Sequence, residues 1–505
     1  MSETIIELLA NGRDDAAAIA AVDRPALTYA GLRRQVAATI AALRRFGIAR
    51  NDPVAMVLPN GPEMASAFVG IAAGATAAPL NPAYRSDEFD FYLTDLAARA
   101  LILPAGAETP ARAAAERHGV RLLELSVPSG APAGVFELSA ANPGAALGGG
   151  PAGPDDIALV LHTSGTTSRP KIVPLTQHNL CASANGIGRA IALSPADRCL
   201  NVMPLFHIHG LMAAVLATLA AGASVVCTPG FNALRFFGWL DELQPSWYTA
   251  VPTMHQAILA RAARNPEIVA RARLRLIRSS SASLPPQVMA DLERLFRCPV
   301  IESYGMTEAS HQMASNPLPP AARKPGTVGI AAGPEVAIMG TGGQLLPPGA
   351  VGEVVIRGPG VTQGYQNNQG ANATAFTNGW FHTGDQGTLD RDGYLTITGR
   401  LKEIINRGGE KVAPLEVDNV LSAHPAVAQA LTFAMPHTRL GEEVAAAIVL
   451  KEGASASEAE IRAFAAERLA DFKVPRKLVF VDEIPKGATG KLQRIGLAER
   501  LGLSA

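Results

Sequence analysis

The chain has 505 residues, 48% of them hydrophobic and 17% charged, and a formal net charge of zero. That length suits about three domains with a sizeable core, and the balance of 44 basic against 44 acidic residues leaves no electrostatic footprint for nucleic acid or an anionic membrane. Cys181, Cys199, Cys227 and Cys298 are widely spaced with no CxxC pair, which argues against a disulfide framework or zinc site and for a reducing compartment.

No basic segment followed by an apolar one opens the chain, and Gly502-Leu503-Ser504-Ala505 is not a peroxisomal address, so a cytoplasmic location is expected. Residues 52–58 read as a strand, followed by a helix that Asn60 would cap with Glu63 as its capping-box partner, ending near Gly74. A short strand follows at 78–80, and strand–helix units recur at 97–120, 175–228 and 235–302. Such alternation predicts a doubly wound, mostly parallel α/β sheet. The uncharged stretch 210–227 is long enough for a membrane span, but its Ala/Gly content and Ala221-Gly222-Ala223 break predict a buried helix ahead of a strand at 224–228. Residues 128–154 are rich in Pro, Gly and Ala and read as a surface loop or linker. From about 326 the texture changes to short strands at 335–339, 352–357 and 393–398, a small β-rich subdomain. A last unit from about 400 mixes strands and helices, with a strand at 444–450 and a helix at 458–469.

Lysine use is uneven. Of nine lysines, one, Lys171, lies in the first 323 residues, and seven lie at or after Lys402. Lys171 closes the run Thr163-Ser164-Gly165-Thr166-Thr167-Ser168-Arg169-Pro170-Lys171. Backbone N–H groups, hydroxyls and one ammonium are what a polyphosphate-holding loop requires. A P-loop is excluded, because no second glycine precedes the lysine and Ile172 stands where Ser or Thr would hold magnesium.

Four further segments carry chemistry. Glu302-Ser303-Tyr304-Gly305-Met306-Thr307-Glu308 follows a buried strand at 299–301, where α/β sheets bind ligands. It offers an aromatic face for a base, a hydroxyl for a phosphate and a carboxylate for magnesium. Trp380-Phe381-His382-Thr383-Gly384-Asp385, with Gly399-Arg400, places a carboxylate in a turn, which suits the two hydroxyls of a ribose; alone it reads more often as an Asx turn. Gly408-Gly409-Glu410-Lys411 and Pro485-Lys486-Gly487-Ala488-Thr489-Gly490-Lys491 are glycine-bearing loops of the last unit.

Together and in this order, the segments resemble the adenylate-forming superfamily of acyl-CoA synthetases, luciferases and peptide-synthetase adenylation domains, over roughly 26–494. The resemblance implies a large N-terminal domain, residues 1–399, of two layered α/β sheets plus a small β-barrel (about 326–399). A hinged α+β C-terminal domain, residues 400–505, would follow, with Lys402 as hinge. It further implies ATP, Mg2+ and coenzyme A. Thr163, Ser164, Gly165, Thr166, Thr167 and Lys171 would hold phosphates. Ser303, Tyr304 and Gly305 would bind the adenosine, with Tyr304 stacked on adenine. Thr307 would bond the α-phosphate, Glu308 would hold magnesium, and Asp385 and Arg400 would grip the ribose. Lys491 would be the catalytic lysine, and Gly408, Gly409 and Glu410 would line the pantetheine tunnel. The superfamily usually has glycine at 168 and 172; Ser168 and Ile172 stand here, so the chain after Lys171 is expected to be extended.

The acid pocket reads as polar. His207-Ile208-His209, Ser279-Ser280-Ser281 and Ala309-Ser310-His311 bring three histidines and a serine run toward one place, where a fatty or aryl acid would need apolar walls. Among subfamilies the likeness is to oxalate–CoA ligases, carried by His162 to Lys171, Trp247-Tyr248-Thr249-Ala250-Val251-Pro252-Thr253, Met306-Thr307-Glu308-Ala309-Ser310-His311-Gln312-Met313 and Ser315-Asn316-Pro317-Leu318-Pro319. It implies that Ser281, His311 and His207 or His209 hold the distal carboxylate, His207 also lying near the reacting one. Malonyl-CoA synthetases tend to place arginine just before Tyr304; Ser303 stands here. Other small, aryl or medium-chain acids, a carrier-protein-loading adenylation domain and a non-catalytic nucleotide-binding protein are the alternatives. The expected partners are a small carboxylic acid, ATP and CoA, without nucleic acid or membrane, in a monomer or homodimer.

Overall fold

The computed structural model describes residues 2–142, 144–163, 170–485 and 492–503. It is a mixed α/β protein with a large N-terminal and a smaller C-terminal domain. Two large sheets form the N-terminal part. One has seven strands: Glu137–Ser139, Arg121–Ser126, Ala100–Pro104, Pro53–Met56, Thr76–Pro79, Ile157–Thr163 and Lys171–Thr176, in spatial order. The other has nine, with a parallel centre running from Ala17–Ala21 through Ser224–Cys227, Arg198–Asn201, Trp247–Ala250 and Leu276–Ser279 to Val300–Met306. Strand His311–Ser315 then folds back antiparallel on Val300–Met306.

The helices between are held by local chemistry. Thr176 and Asn179 form a reciprocal capping box at the head of Gln177–Ala190, and Pro252 pre-sets the first turn of Pro252–Ala262. The largest core cluster joins both sheets through Phe68, Val69, Ile71, Leu211, Met212 and Leu216, so burial of these layers against each other dominates the folding free energy.

Several expectations are corrected. Asn60 does not cap the following helix: Pro62–Ala72 begins after Gly61 with no side-chain cap bond. Asn60 instead accepts from Leu205 N–H at 2.8 Å and donates to the Thr228 carbonyl at 3.0 Å, while Glu63 pairs with Arg24 at 2.6 Å. Tertiary partners outcompete the local cap. The proline-rich stretch 128–154 is not all loop, since Glu137–Ser139 completes a sheet edge. The uncharged stretch is a buried helix followed by the strand Ser224–Cys227, as expected, but its helix is mostly a π-helix, His209–Leu216, continued by Ala217–Ala220. Ala217 N–H reaches back five residues to Met212 O. Among the described residues no helix is long and apolar enough to cross a membrane.

The β-rich subdomain is a five-stranded antiparallel sheet in which Trp380–Leu389 pairs with Gly352–Arg357, Phe376–Thr377 and Leu395–Arg400. The C-terminal unit centres on the long hairpin Val427–His437 and Gly441–Leu450, with Ile405–Arg407, Glu410–Val412 and the parallel strand Lys477–Phe480 alongside. Helices Pro414–Ser422 and Glu458–Ala466 contribute Val417, Leu421 and Ile461 to its core.

Ile172, out of place in the sequence comparison, is explained by burial. It is 3% exposed, sits within Lys171–Thr176 opposite His162, and packs with Ala55, Val57, Ala78 and Val160. Its backbone is extended, so no glycine is required. Ile172→Gly should therefore lower stability by about 3 kcal/mol or more, from lost burial and added chain entropy. An unchanged first urea transition would show that Ile172 is not a core residue.

Candidate active site

Strand Val300–Met306 carries the centre of the site, and close backbone packing holds it. A Cβ on Gly305 would lie 1.7 Å from the His311 carbonyl oxygen, so the hairpin to His311–Ser315 admits only glycine there. Ser303 spends its hydroxyl on the neighbouring strand, donating to Ser279 O at 3.2 Å. The Tyr304 hydroxyl donates to Asp385 Oδ2, and Asp385 Oδ1 pairs with Arg400 Nε at 3.3 Å. Asp385 and Arg400 are direct cross-strand partners, which fixes their spacing. Thus Tyr304, Asp385 and Arg400, brought together from distant strands, form one line of a hydrogen bond and an ion pair. Arg400 is half-exposed, and Lys402, just beyond it in the turn that follows, is exposed.

Thr307 and Glu308 lie in the one-turn 3-10 helix Thr307–Ala309. Glu308 is buried; desolvation raises its carboxyl above the ordinary range, against the opposing influence of Tyr365, Arg400 and Lys171. The Tyr365 hydroxyl donates to Glu308 Oε1 at 2.9 Å, and Lys171 Nζ lies 4.4 Å from the centre of the same ring. One tyrosine therefore holds the ammonium against its face and the carboxylate at its tip. Thr163 stands directly opposite Lys171 in the antiparallel pair. The candidates Ser164, Gly165, Thr166 and Thr167, between them, lie outside the described residues, as does Lys491.

A second cluster lies beside Val300–Met306, on the neighbouring strands. His209, first residue of the π-helix, has Nδ1 3.0 Å from Ser281 Oγ and Nε2 2.6 Å from Thr249 Oγ1. Gly210 beside it leaves no room for a side chain, whose Cβ would sit 2.4 Å from Pro204 O. The His209 and His311 rings stack with centroids 4.9 Å apart. Ser281 and His311 are both held at positive φ, 75° and 94°, with Ser310 at 49°. Non-glycine residues in that region cost about 1–3 kcal/mol each and cluster at functional sites. His207 is half-buried, and its Nδ1 accepts from His209 N–H at 3.3 Å.

Against these rings lies a residue the sequence reading missed. Arg278, on Leu276–Ser279, is fully buried, and burial pulls its guanidinium down to about 9. The available signal was a charged residue inside the apolar run Leu276-Ile277-Arg278, directly ahead of the serines that were noticed. Tyr365 was missed too; no spacing links it to Glu308.

Gly408, Gly409 and Glu410 form an exposed turn joining Ile405–Arg407 to Glu410–Val412 in the smaller domain. That domain meets the large one where Gln429 Nε2 donates to Gln256 Oε1 at 3.1 Å. Arg494, close after the Lys491 segment, pairs with Glu403 at 3.2 Å and Asp418 at 2.9 Å, tying the tail to the turn after Arg400.

Comparison with known proteins agrees with this arrangement. The sequence model of the AMP-binding enzyme family matches residues 7–366, and that of the AMP-binding enzyme C-terminal domain matches residues 416–491. The chain is 46% identical to an oxalate–CoA ligase of Arabidopsis thaliana, over 89% of this chain and 88% of that protein. It is 41% identical to an oxalate–CoA ligase of Saccharomyces cerevisiae, over 90% of this chain and 88% of that protein. ATP-bound MatB from Rhodopseudomonas palustris superposes with a TM-score of 0.88 at 29% identity, over 99% of each chain.

Glu302 generates a pH prediction. Burial pushes its carboxyl up to about 8, although Oε1 accepts from Leu284 N–H at 2.8 Å. An unfolded glutamate titrates near about 4.3, so the native state holds the extra proton between the two values. This group's contribution to stability is full below the lower value and declines as pH rises through the higher one. The wild-type urea midpoint, minus that of Glu302→Gln, should therefore fall steadily between about pH 5 and about pH 8. Parallel pH curves would contradict it.

Proposed function

The chain belongs to the AMP-binding enzyme family, and on that premise we propose that the acid it joins to CoA is oxalate. Its activity is that of an AMP-forming acid–CoA ligase, which takes a carboxylic acid, ATP and CoA with Mg2+. The observation that carries the oxalate reading is the buried cluster of His209, His311, Ser281 and Arg278, which gathers polar groups and a positive charge where an aryl or fatty acid would need apolar walls. The two oxalate–CoA ligase relatives support the same reading.

In the reaction, a carboxylate oxygen attacks the α-phosphorus of ATP, and the bond to pyrophosphate breaks. The CoA thiol then attacks the acyl carbon of the mixed anhydride, loses its proton and releases AMP. We assign Lys491 to the charge that develops at the α-phosphate, with Thr307 as hydrogen-bond donor there. Thr163, Ser164, Gly165, Thr166, Thr167 and Lys171 are assigned to the departing pyrophosphate. We assign adenine to the face of Tyr304, with Ser303 and Gly305 shaping the strand beneath it, and the ribose hydroxyls to Asp385 and Arg400. His207 is assigned to the reacting carboxylate.

Magnesium, when bound, screens phosphate charge during the transfer. Glu308 fits it: a buried carboxylate oxygen suits a hard cation, and among the described residues it pairs with no cationic side chain. No group of three or more His, Cys, Asp and Glu side chains surrounds it among the described residues, so one carboxylate and the nucleotide's phosphates would complete the shell.

We place the domain division after residue 399, with Lys402 as hinge. Rotation of residues 400–505 would withdraw Lys491 after the first step and bring Gly408, Gly409 and Glu410 to the pantetheine arm. We place the enzyme in the cytoplasm, in keeping with four buried free cysteines.

AMP release should be assayed with oxalate, malonate, acetate, 4-coumarate and medium-chain acids, with and without CoA. The expected kcat/KM for oxalate exceeds the others by about 100-fold or more, and His311→Ala should cut it about 10- to 100-fold while the KM for ATP stays within about twofold. A strong fatty- or aryl-acid signal beside none for oxalate overturns the substrate, and equal loss of acid and ATP binding makes His311 structural.

A further inference from the structure

Arg278 is a cation in the core with no carboxylate partner among the described residues. Among the described residues its partners are all neutral: His311 Nε2 at 3.3 Å, His209 Nε2 at 3.5 Å and Thr249 Oγ1 at 3.4 Å from one terminal nitrogen, and Gln312 Oε1 at 3.1 Å from the other. Its Nε meets no partner. A guanidinium has donors only and does not deprotonate to become an acceptor. Each histidine nitrogen turned toward it must therefore carry a lone pair, which in a neutral imidazole puts the ring proton on Nδ1. Thr249 fits the pattern: its hydroxyl accepts from Arg278 at 3.4 Å and donates to the lone pair of His209 Nε2 across 2.6 Å, so the longer Arg278 contact to His209, 3.5 Å, is electrostatic.

Consequences pass outward from there. His209 Nδ1–H donates to Ser281 Oγ at 3.0 Å, which leaves the serine hydroxyl hydrogen to point elsewhere as a donor. Stacking at 23° keeps the two imidazoles nearly parallel, with both Nε2 atoms facing one terminal nitrogen, whose two hydrogens go to its nearer acceptors, His311 Nε2 and Thr249 Oγ1. A second proton on either ring would set an imidazolium against the guanidinium, which like-charge repulsion disfavours.

We propose that Arg278 is a positioning and specificity-determining residue: it fixes His209 and His311 as Nδ1–H tautomers, so that the acid pocket presents only donors, and its charge selects acids bearing a second anionic group. The specificity half rests on the oxalate reading; the tautomer half does not. A monocarboxylate of the same size leaves the buried charge without its complement and the donors without acceptors, a larger penalty than a missing methylene brings.

The test uses full-length enzyme labelled with 15N in the histidine rings. Two-bond 1H–15N spectra should show Nδ1–H at His209 and His311, identified by their loss in His209→Gln and His311→Gln. Arg278→Gln should release both to Nε2–H or a mixture, and Arg278→Lys should restore the pattern in part. The same two variants should lose about 10- to 100-fold in kcat/KM for oxalate, with the KM for ATP within about twofold. Nε2–H at either ring in the wild type overturns the proposal without need of a variant, as do unchanged tautomers in folded Arg278→Gln. Wild-type enzyme that shows both Nδ1–H rings but prefers a dicarboxylate or sulfonated acid other than oxalate supports the proposal and overturns only the oxalate reading. Preference for a monocarboxylate overturns the specificity half.

Discussion

A fully buried guanidinium with no carboxylate beside it among the described residues is the constraint around which the proposed acid side of this site is organised. Removing a cation from water costs several kcal/mol even after relaxation, and Arg278 recovers part of that only through neutral acceptors: two imidazole nitrogens, a threonine oxygen and an amide oxygen. Those acceptors come from three different elements, so the chain must bring the π-helix, strand Trp247–Ala250 and the returning strand His311–Ser315 to one point beside Leu276–Ser279, which carries Arg278. The positive φ at Ser281 and His311 is the backbone's share of the same constraint. On the proposed reading, an acid with a second negative charge would supply the counter-charge.

The nucleotide side works differently. Its charges are already paired or braced within the protein: Asp385 by Tyr304 and Arg400, Glu308 by the Tyr365 hydroxyl, Lys171 by the Tyr365 ring. Antiparallel register sets the Asp385–Arg400 spacing, and Tyr304 and Lys171 also stand on strands, so rigid elements hold groups that would meet a fixed nucleotide. The groups assigned to movement, Lys402 and the turn Gly408-Gly409-Glu410, are exposed.

Much of this was legible in the sequence because the chemistry is local. Strand–helix alternation pointed to the layered sheets, and the Tyr304, Thr307 and Glu308 cluster occupies one short segment at a strand end. What was illegible depends on tertiary partners. Asn60 followed by Glu63 has the spacing of a cap, yet both side chains are taken by distant groups, which no local rule foresees. Ile172 looked anomalous until burial against Val57 and Val160 explained it. Arg278 was hidden by composition: in a chain that uses arginine for 35 of its 44 basic residues, one more arginine carries no signal until its burial is known. Tyr365 links Lys171 to Glu308 only because Gln366 pairs with Ile172 and lays that segment beside the strand.

The central claim, that this chain activates oxalate as an acyl-adenylate, is tested most directly by oxygen transfer. With 18O-labelled oxalate, ATP, Mg2+ and CoA, attack by the carboxylate on the α-phosphorus and later thiolysis leave one carboxylate oxygen on the phosphate of AMP. One labelled oxygen is expected in each AMP released, with oxalyl-CoA in equal amount. Unlabelled AMP, or AMP formation that does not depend on oxalate, would contradict it.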